Sequence, residues 1–102
     1  MEVIKDVSKD IEKILDMSEC YAKRAILLKQ DFPSLAQSYY NSSTTCLNMM
    51  KDFHNEIVSI INDHTKQGKE TPAPMAAIYN YLHERFIERT AAIKNLQDLF
   101  KQ

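Results

Sequence analysis

Apolar side chains recur along the chain in steps of three and four residues, and this pattern is interrupted twice. The periodic segments cover about residues 2–30, 33–67 and 72–101. Such spacing places apolar side chains on one face of an α-helix and is typical of left-handed helix packing in bundles. It predicts three long amphipathic helices, each about 40 to 50 Å long at a rise of 1.5 Å per residue.

Two short segments with turn-forming residues separate these helices. In the first, Asp31 is a candidate N-cap and Pro33 suits the first turn of the next helix. In the second, we expect Gly68 to end a helix, Thr71 to cap the next one and Pro72 to begin it. Because the connections are short, consecutive helices should run antiparallel. The prediction is an all-α antiparallel bundle.

Each helix is expected to turn one stripe of side chains toward the core. The first stripe is Ile4, Val7, Ile11, Ile14, Ser18, Tyr21, Ala25 and Leu28, widened by Leu15 and Ala22. The second is Leu35, Tyr39, Ser42, Cys46, Met49, Phe53, Ile57, Ile60 and His64. The third is Met75, Tyr79, Leu82, Phe86, Thr90, Ile93, Leu96 and Phe100, widened by Ile78, Ile87 and Leu99.

The antiparallel arrangement also predicts which residues share a height in the bundle. Residues at one height have numbers that sum to about 65 across the first turn and to about 140 across the second. Ser18 is then level with Cys46 or Leu47, and Met49 with Thr90 or Ala91. The middle of the core is therefore expected to be small or weakly polar, where leucine or isoleucine is usual.

Composition narrows the class of protein. The 102 residues suit one domain over 1–102, and 44% apolar residues with one glycine argue against a loop-rich β fold. The net charge of −1 gives no field that attracts nucleic acid or an anionic membrane. No apolar run approaches the roughly 20 residues of a membrane span, and the N-terminus does not read as a signal peptide. We expect a cytoplasmic protein with Cys20 and Cys46 reduced.

Turn and packing residues after Tyr21 form a recognisable set. They are Tyr21-Ala22, Ala25, Lys29, Phe32-Pro33-Ser34-Leu35-Ala36, Tyr39-Tyr40, Asn48 to His54, Pro74-Met75, Ile78-Tyr79 and Leu82-His83-Glu84. This set resembles small ferritin-like proteins of bacterial and prophage genomes. The resemblance implies a ferritin-like bundle, in which a Glu from one helix and a Glu-x-x-His pair from its neighbour hold iron or manganese.

The chain departs from that family at the metal ligands. The second helix has Cys46-Leu47-Asn48-Met49 where Glu-x-x-His is expected, and the first helix has Ser18. Glu19 is adjacent but points toward the flank of the helix. A conventional di-iron site is therefore expected to be absent, and we predict no catalytic residue and no bound cofactor.

Weaker metal candidates stay open. Cys46 and Met49 would form an inward sulfur pair that suits a soft metal such as Cu(I), if a second chain supplied more ligands. A carboxylate set at one height could bind a divalent cation, although solvated charges paired with Lys or Arg are the competing interpretation. That set is Glu12, Asp52 and Glu88.

Apolar residues beside the stripes point to association. A three-helix bundle leaves some of that surface uncovered, so we expect a homo-oligomer, most simply a homodimer. The interface candidates are Tyr40, Tyr81, Ile78 and Leu99. The leading hypothesis is a non-enzymatic ferritin-like bundle that acts through self-association or partner binding. The alternative is a metal-binding or oxidoreductase member of that group, with iron or manganese ligands assembled across a dimer.

Overall fold

The computed structural model describes residues 2–102, with side chains from Asp6 onward, so Ile4 of the predicted first stripe lies outside the described side chains. Three helices follow one another: α1 (Glu2–Leu28), α2 (Pro33–Lys66) and α3 (Ala73–Lys101). Over the described range there is no strand. The prediction of an all-α bundle of three long helices is confirmed, with helix ends that shift by one or two residues.

The bundle is an elongated body of 56 × 27 × 18 Å. Helix α1 packs against both of its neighbours, most extensively against α2, whereas α2 and α3 share the smallest interface. The close pair Tyr21 and Tyr39 joins α1 to α2, and the pair His54 and Phe86 joins α2 to α3. Residue numbers rise on one helix as they fall on the next, so consecutive helices run antiparallel and α1 and α3 run parallel.

The first turn begins earlier than predicted. Helix α1 ends at Leu28, whose carbonyl accepts from the Phe32 N–H at 2.8 Å. Phe32 takes the N-cap position of α2, and no side chain caps that end. The predicted N-cap role of Asp31 is therefore wrong: the first intrahelical bond of α2 runs from the Ala36 N–H to the Phe32 carbonyl at 2.9 Å, which leaves Asp31 one residue too early.

Gly68 ends α2 as predicted. It has φ of +69°, a left-handed conformation that L side chains rarely adopt. Its N–H donates to the Thr65 carbonyl at 3.0 Å, and the Lys69 N–H donates to the His64 carbonyl at 2.9 Å, which together form a Schellman motif. The cap predicted at Thr71 is wrong by one residue, because Pro72 takes the N-cap position of α3.

The core consists of two apolar clusters with a polar layer between them. The larger cluster lies toward the second turn and comprises Ile11, Leu15, Leu47, Met50, Ile57, Ile78, Leu82 and Ile93. The smaller cluster lies at the first turn and comprises Ala25, Ala36 and Phe100. Ser18, Ser43 and Gln97 are buried at the height between them. A weakly polar middle of the core was predicted, although Ser43 and Gln97 were not among its expected members.

Ser18 and Ser43 join α1 to α2 by a reciprocal pair of hydrogen bonds. The Ser18 Oγ donates to the Ser43 carbonyl at 2.8 Å, and the Ser43 Oγ donates to the Ser18 carbonyl at 2.7 Å. Each hydroxyl has only one proton, so the Oγ–Oγ distance of 3.2 Å is a close contact rather than a third bond. The Gln97 Nε2 donates to the Ser43 Oγ at 3.1 Å and ties α3 to the same layer.

The inward face of α2 departs from the predicted stripe by one residue at several positions, although Cys46 and Ile57 are buried as predicted. Ala36, Ser43 and Met50 are buried, whereas Leu35 is 49% exposed and Met49 is 52% exposed. The small side chains at 36 and 43 are both fully buried, and the Ser43 hydroxyl bonds to the Ser18 carbonyl of α1. Met49 is thus a surface residue, contrary to the prediction that it points inward.

The residue pairs predicted to lie at the same height are confirmed between α2 and α3 but are wrong between α1 and α2. Between α2 and α3 the predicted pairing is confirmed by Ser43 with Gln97 and by His54 stacked on Phe86 at 5.4 Å. Between α1 and α2, Ser18 meets Ser43 instead of Cys46 or Leu47, which is about one helical turn away. The early end of α1 at Leu28 moves the centre of the first turn and accounts for this shift.

A helix that crosses a bilayer needs about 20 mostly apolar residues, and this can be compared directly with α1, α2 and α3. Within the described residues, none of them combines the length with the apolar character needed to span a membrane.

We predict that Ser43→Ala lowers the free energy of unfolding by about 1 to 3 kcal/mol, because the buried Gln97 amide loses its acceptor and α1 loses a donor. Urea denaturation measures the change. Ser42→Ala is the matched control, since residue 42 is exposed in the same helix and the same substitution should stay within about 0.5 kcal/mol. Equal effects of the two substitutions would contradict a role for the Ser18–Ser43 pair.

Candidate association surface on helices α1 and α3

Arg89 of α3 lies at the centre of a charged network with α1. Its Nη1 donates to Glu12 at 3.0 Å, and its Nη2 donates to Asp16 at 2.8 Å and to Glu19 at 3.2 Å. The three acids occupy one flank of α1 because they are spaced by four and three residues. The Arg89 side chain is only 17% exposed, so this network is less screened by solvent than an ordinary surface ion pair.

Glu12 receives two further hydrogen bonds. Its Oε1 accepts from the Arg85 Nε at 2.7 Å and from the Tyr81 hydroxyl at 2.8 Å. The hydrogen bond from Arg85 lowers the pKa of Glu12 below its ordinary value of 4.5, although partial burial acts in the opposite direction. Burial and the bond to Glu12 raise the pKa of Tyr81, so its phenol stays protonated and remains a donor. At neutral pH the Glu12 carboxylate is therefore ionised and accepts hydrogen bonds from Tyr81, Arg85 and Arg89.

Two open grooves run along the outer side of this contact. The polar groove is lined by Ser8, Lys9, Glu12, Lys13, Asp16, Met17, Cys20 and Tyr81. The apolar groove is lined by Lys23, Ile26, Leu27, Leu96 and Leu99. We call the two grooves together the α1/α3 strip. Leu27 is 79% exposed and Leu99 is 54% exposed, so the apolar groove has unusually accessible walls.

The predicted metal candidates lie apart or are already paired. Glu12 and Glu19 are bound to arginines, as described above. Asp52 and Glu88 are exposed side chains on α2 and α3. Across the described residues, no group of three or more His, Cys, Asp or Glu side chains converges in a way that would hold a metal ion.

Cys46 and Met49 do not form the predicted inward sulfur pair. Cys46 is buried at 8% exposure, as expected, whereas Met49 is half exposed on the surface of α2. The prediction failed because the inward face of α2 at this height consists of Cys46, Leu47 and Met50 and leaves Met49 outside. Burial raises the pKa of the Cys46 thiol, which keeps it protonated and unreactive at neutral pH. Cys20 is exposed and opens onto the polar groove.

The four predicted interface residues have different environments. Ile78 is a core residue with 8% exposure, so its prediction as an interface residue is wrong: it faces the larger apolar cluster. Tyr40 is half buried and stacks on Phe100 with ring centroids 4.8 Å apart. Tyr81 is half buried and bonds to Glu12. Leu99 is exposed and lines the apolar groove, and its prediction as an interface residue stays open.

Arg85 and Arg89 were not predicted as members of a site. Their spacing of four residues places both guanidinium groups on one flank of α3, and the acids Glu12, Asp16 and Glu19 have the matching helical spacing on α1. This pattern is visible in the sequence. It could not be matched between helices, however, without knowing how α1 and α3 are rotated toward each other.

The chain was matched by no known protein in three kinds of comparison. No family model, no curated protein and no solved structure matches this chain.

The lowered pKa of Glu12 has a defined consequence for stability. A depressed pKa in the folded state stabilises the protein above about pH 4.5, and this stabilisation is lost as the pH falls through the folded value. We therefore expect Glu12→Gln to lower the free energy of unfolding by about 1 kcal/mol at pH 7 and by much less near pH 3. Urea denaturation at several pH values measures the difference.

Glu56→Gln serves as the control for this prediction, because Glu56 is exposed on α2. The control should differ little from the parent chain at any pH. A deficit of Glu12→Gln that did not shrink on acidification would show that the carboxylate charge is not what stabilises the contact.

Proposed function

We propose that this chain is a non-enzymatic helical bundle that acts by association, with copies of itself or with a protein partner, through the α1/α3 strip. The observation that carries the proposal is the apolar groove, in which Leu27 is 79% exposed and Leu99 is 54% exposed side by side with Ile26 and Leu96. Each fully covered leucine contributes roughly 1.5 to 3 kcal/mol relative to full exposure, so covering these side chains favours a complex.

The charged part of the strip supports the same interpretation. The carboxylates of Glu12, Asp16 and Glu19 are held by Arg85 and Arg89 within the chain. The charges of Glu12 and Glu19 are therefore largely offset within the chain, whereas the Asp16 side chain stays 67% exposed beside Arg89. The strip offers a partner mainly shape and apolar area, together with the exposed charges of Asp16 and Lys23.

Helix α3 adds a second line of support. Its apolar residues are not confined to the inward face, since Ile87 is 56% exposed and Leu99 is 54% exposed on other sides of the helix. A helix that is apolar around much of its circumference is usually covered on more than one side. In the isolated chain, one side of α3 contacts α1 and α2, and the rest is free to be covered by another molecule.

We also propose a ferritin-like origin for the bundle. The long antiparallel helices are compatible with it, and so is the buried polar layer of Ser18, Ser43 and Gln97. Ser18 stands where the resemblance to ferritin-like proteins would place an acidic ligand on α1, and it bonds to Ser43, about one helical turn from the expected ligand positions Cys46 to Met49 of α2. In this proposal, an uncharged side chain has replaced the ligand on α1, and the layer now serves packing.

The association proposal predicts that the purified chain forms oligomers and that Leu27→Glu reduces them to monomers, because a carboxylate in the apolar groove must be desolvated when a partner covers it. Static light scattering across a concentration series measures the mass. The folded chain itself should be little affected, since Leu27 is mostly exposed, and thermal unfolding checks this.

Met49→Glu is the matched control, because Met49 is also an exposed apolar side chain but lies on α2, outside the strip. It should leave the mass of the oligomer unchanged. A parent chain that stayed monomeric at every concentration would remove self-association from the proposal, and an oligomer lost equally in both variants would place the interface elsewhere.

A further inference from the structure

We propose that the partner of the α1/α3 strip is a second copy of this chain, bound so that the two α1 helices pack antiparallel about a two-fold axis beside Cys20. This inference rests on the proposed function and names the partner and its orientation. It follows from the arrangement of charge, size and exposure along the outer face of α1.

Cys20 lies at the middle of that outer face. At 3.6 residues per turn it is about 180° around the helix from the core residue Ile11. It is exposed, and its side chain is small. A small residue at the point where two helices cross lets their backbones approach, so Cys20 is the natural centre of a helix pair on this face.

The charges on the two sides of Cys20 have opposite signs, so they would attract each other between two copies related by a two-fold axis. Asp16 precedes it by four residues and Lys23 follows it by three. A two-fold axis perpendicular to the plane of the two helices reverses height but keeps the flank. Asp16 contacts Arg89, and Lys23 lines the apolar groove of α1 and α3, so both lie on the flank toward α3. The axis therefore brings Asp16 within about one residue rise, 1.5 Å in height, of Lys23 from the other copy.

Both members of this pair have room to meet across the axis. The side chain of Asp16 is 67% exposed and that of Lys23 is 60% exposed. Among the described side chains, Lys23 has one ion-pair partner, Glu19, at the long distance of 3.9 Å. Because the symmetry repeats every contact, the dimer contains two such ion pairs.

The same axis places Leu27 over the polar groove of the other copy. Leu27 follows Cys20 by seven residues and Lys13 precedes it by seven, so the axis sets the two at the same height on opposite copies. Lys13 lines the polar groove, whose walls include the stem of that lysine, Met17 and the ring of Tyr81. The most exposed leucine of the chain is thereby laid over the open groove of the partner, and the reverse contact forms simultaneously.

A second copy accounts for these features better than a different protein does. The outer face of α1 carries a protruding side chain and an open groove at equal distances from Cys20, with opposite charges between them. A surface of this kind is complementary to its own rotated image, which is the requirement for an isologous interface. A different partner would need the protrusion, the groove and the charges to match independently.

Cross-linking at Cys20 tests the position of the axis. The full chain is treated with a short bis-maleimide, to which Cys20 is accessible while Cys46 is buried. We expect a covalent dimer as the main product, and none from Cys20→Ser. The combined variant Cys20→Ser with Lys66→Cys is the matched control, because position 66 is exposed at the far end of α2 and should give little dimer.

Charge reversal tests the orientation. Asp16→Lys and Lys23→Asp should each weaken the homodimer roughly tenfold or more, because two attractive pairs become repulsive. Mixing the two variants should restore a dimer that contains one chain of each kind, since both pairs are then attractive again. Native mass spectrometry distinguishes the three possible dimers by mass. An effect confined to the Asp16–Arg89 contact within the chain would not recover on mixing.

The outcomes separate this inference from the proposed function. A parent chain that is monomeric at all concentrations overturns self-association and the antiparallel dimer together. A dimer that neither cross-links through Cys20 nor forms the mixed species overturns the antiparallel arrangement and leaves association through the strip standing. A Cys20 dimer together with recovery on mixing supports both.

Discussion

Two serine hydroxyls, each donating to the backbone of the opposite helix, join α1 to α2 in the middle of the core. The contact is possible because the neighbouring positions on this interface are also small, with Ala25 and Ala36 fully buried. It sets the rotation of α2, and through Gln97 it sets the height of α3. The two apolar clusters then fill the space on either side.

The number, length and order of the helices follow from the sequence alone, because the apolar residues recur in steps of three and four and this pattern is interrupted only at the two turns. The exact helix ends and the rotation of each helix depend on contacts between helices and could not be predicted. The end of α1 at Leu28 is set by the bond to Phe32, and it moved every α1–α2 pairing by about one turn. The rotation of α2 is set by the fit of Ser43 against α1, whereas apolarity alone favoured Met49 as an inward residue.

The candidate site was predictable only in part. Exposure of Leu99 agrees with its predicted place on a surface, but Ile78 belongs to the core, and a helix that is apolar on several sides gives no clear signal of which side is inward. The arginine–carboxylate network consists of ordinary helical spacings on two separate helices. These residues can pair only because α1 and α3 lie side by side, and the sequence alone does not show that arrangement.

The short connections at residues 29–32 and 67–72 have a consequence for how the protein reaches its folded state. Consecutive helices are neighbours in space as well as in sequence, so the chain closes small loops before its contacts form. Helical proteins with such local topology typically fold within microseconds to milliseconds. The two apolar clusters and the serine layer form from contacts within one chain, so the rate of folding should not depend on protein concentration. The association proposed for the α1/α3 strip would then be a separate step, and that step alone would depend on concentration.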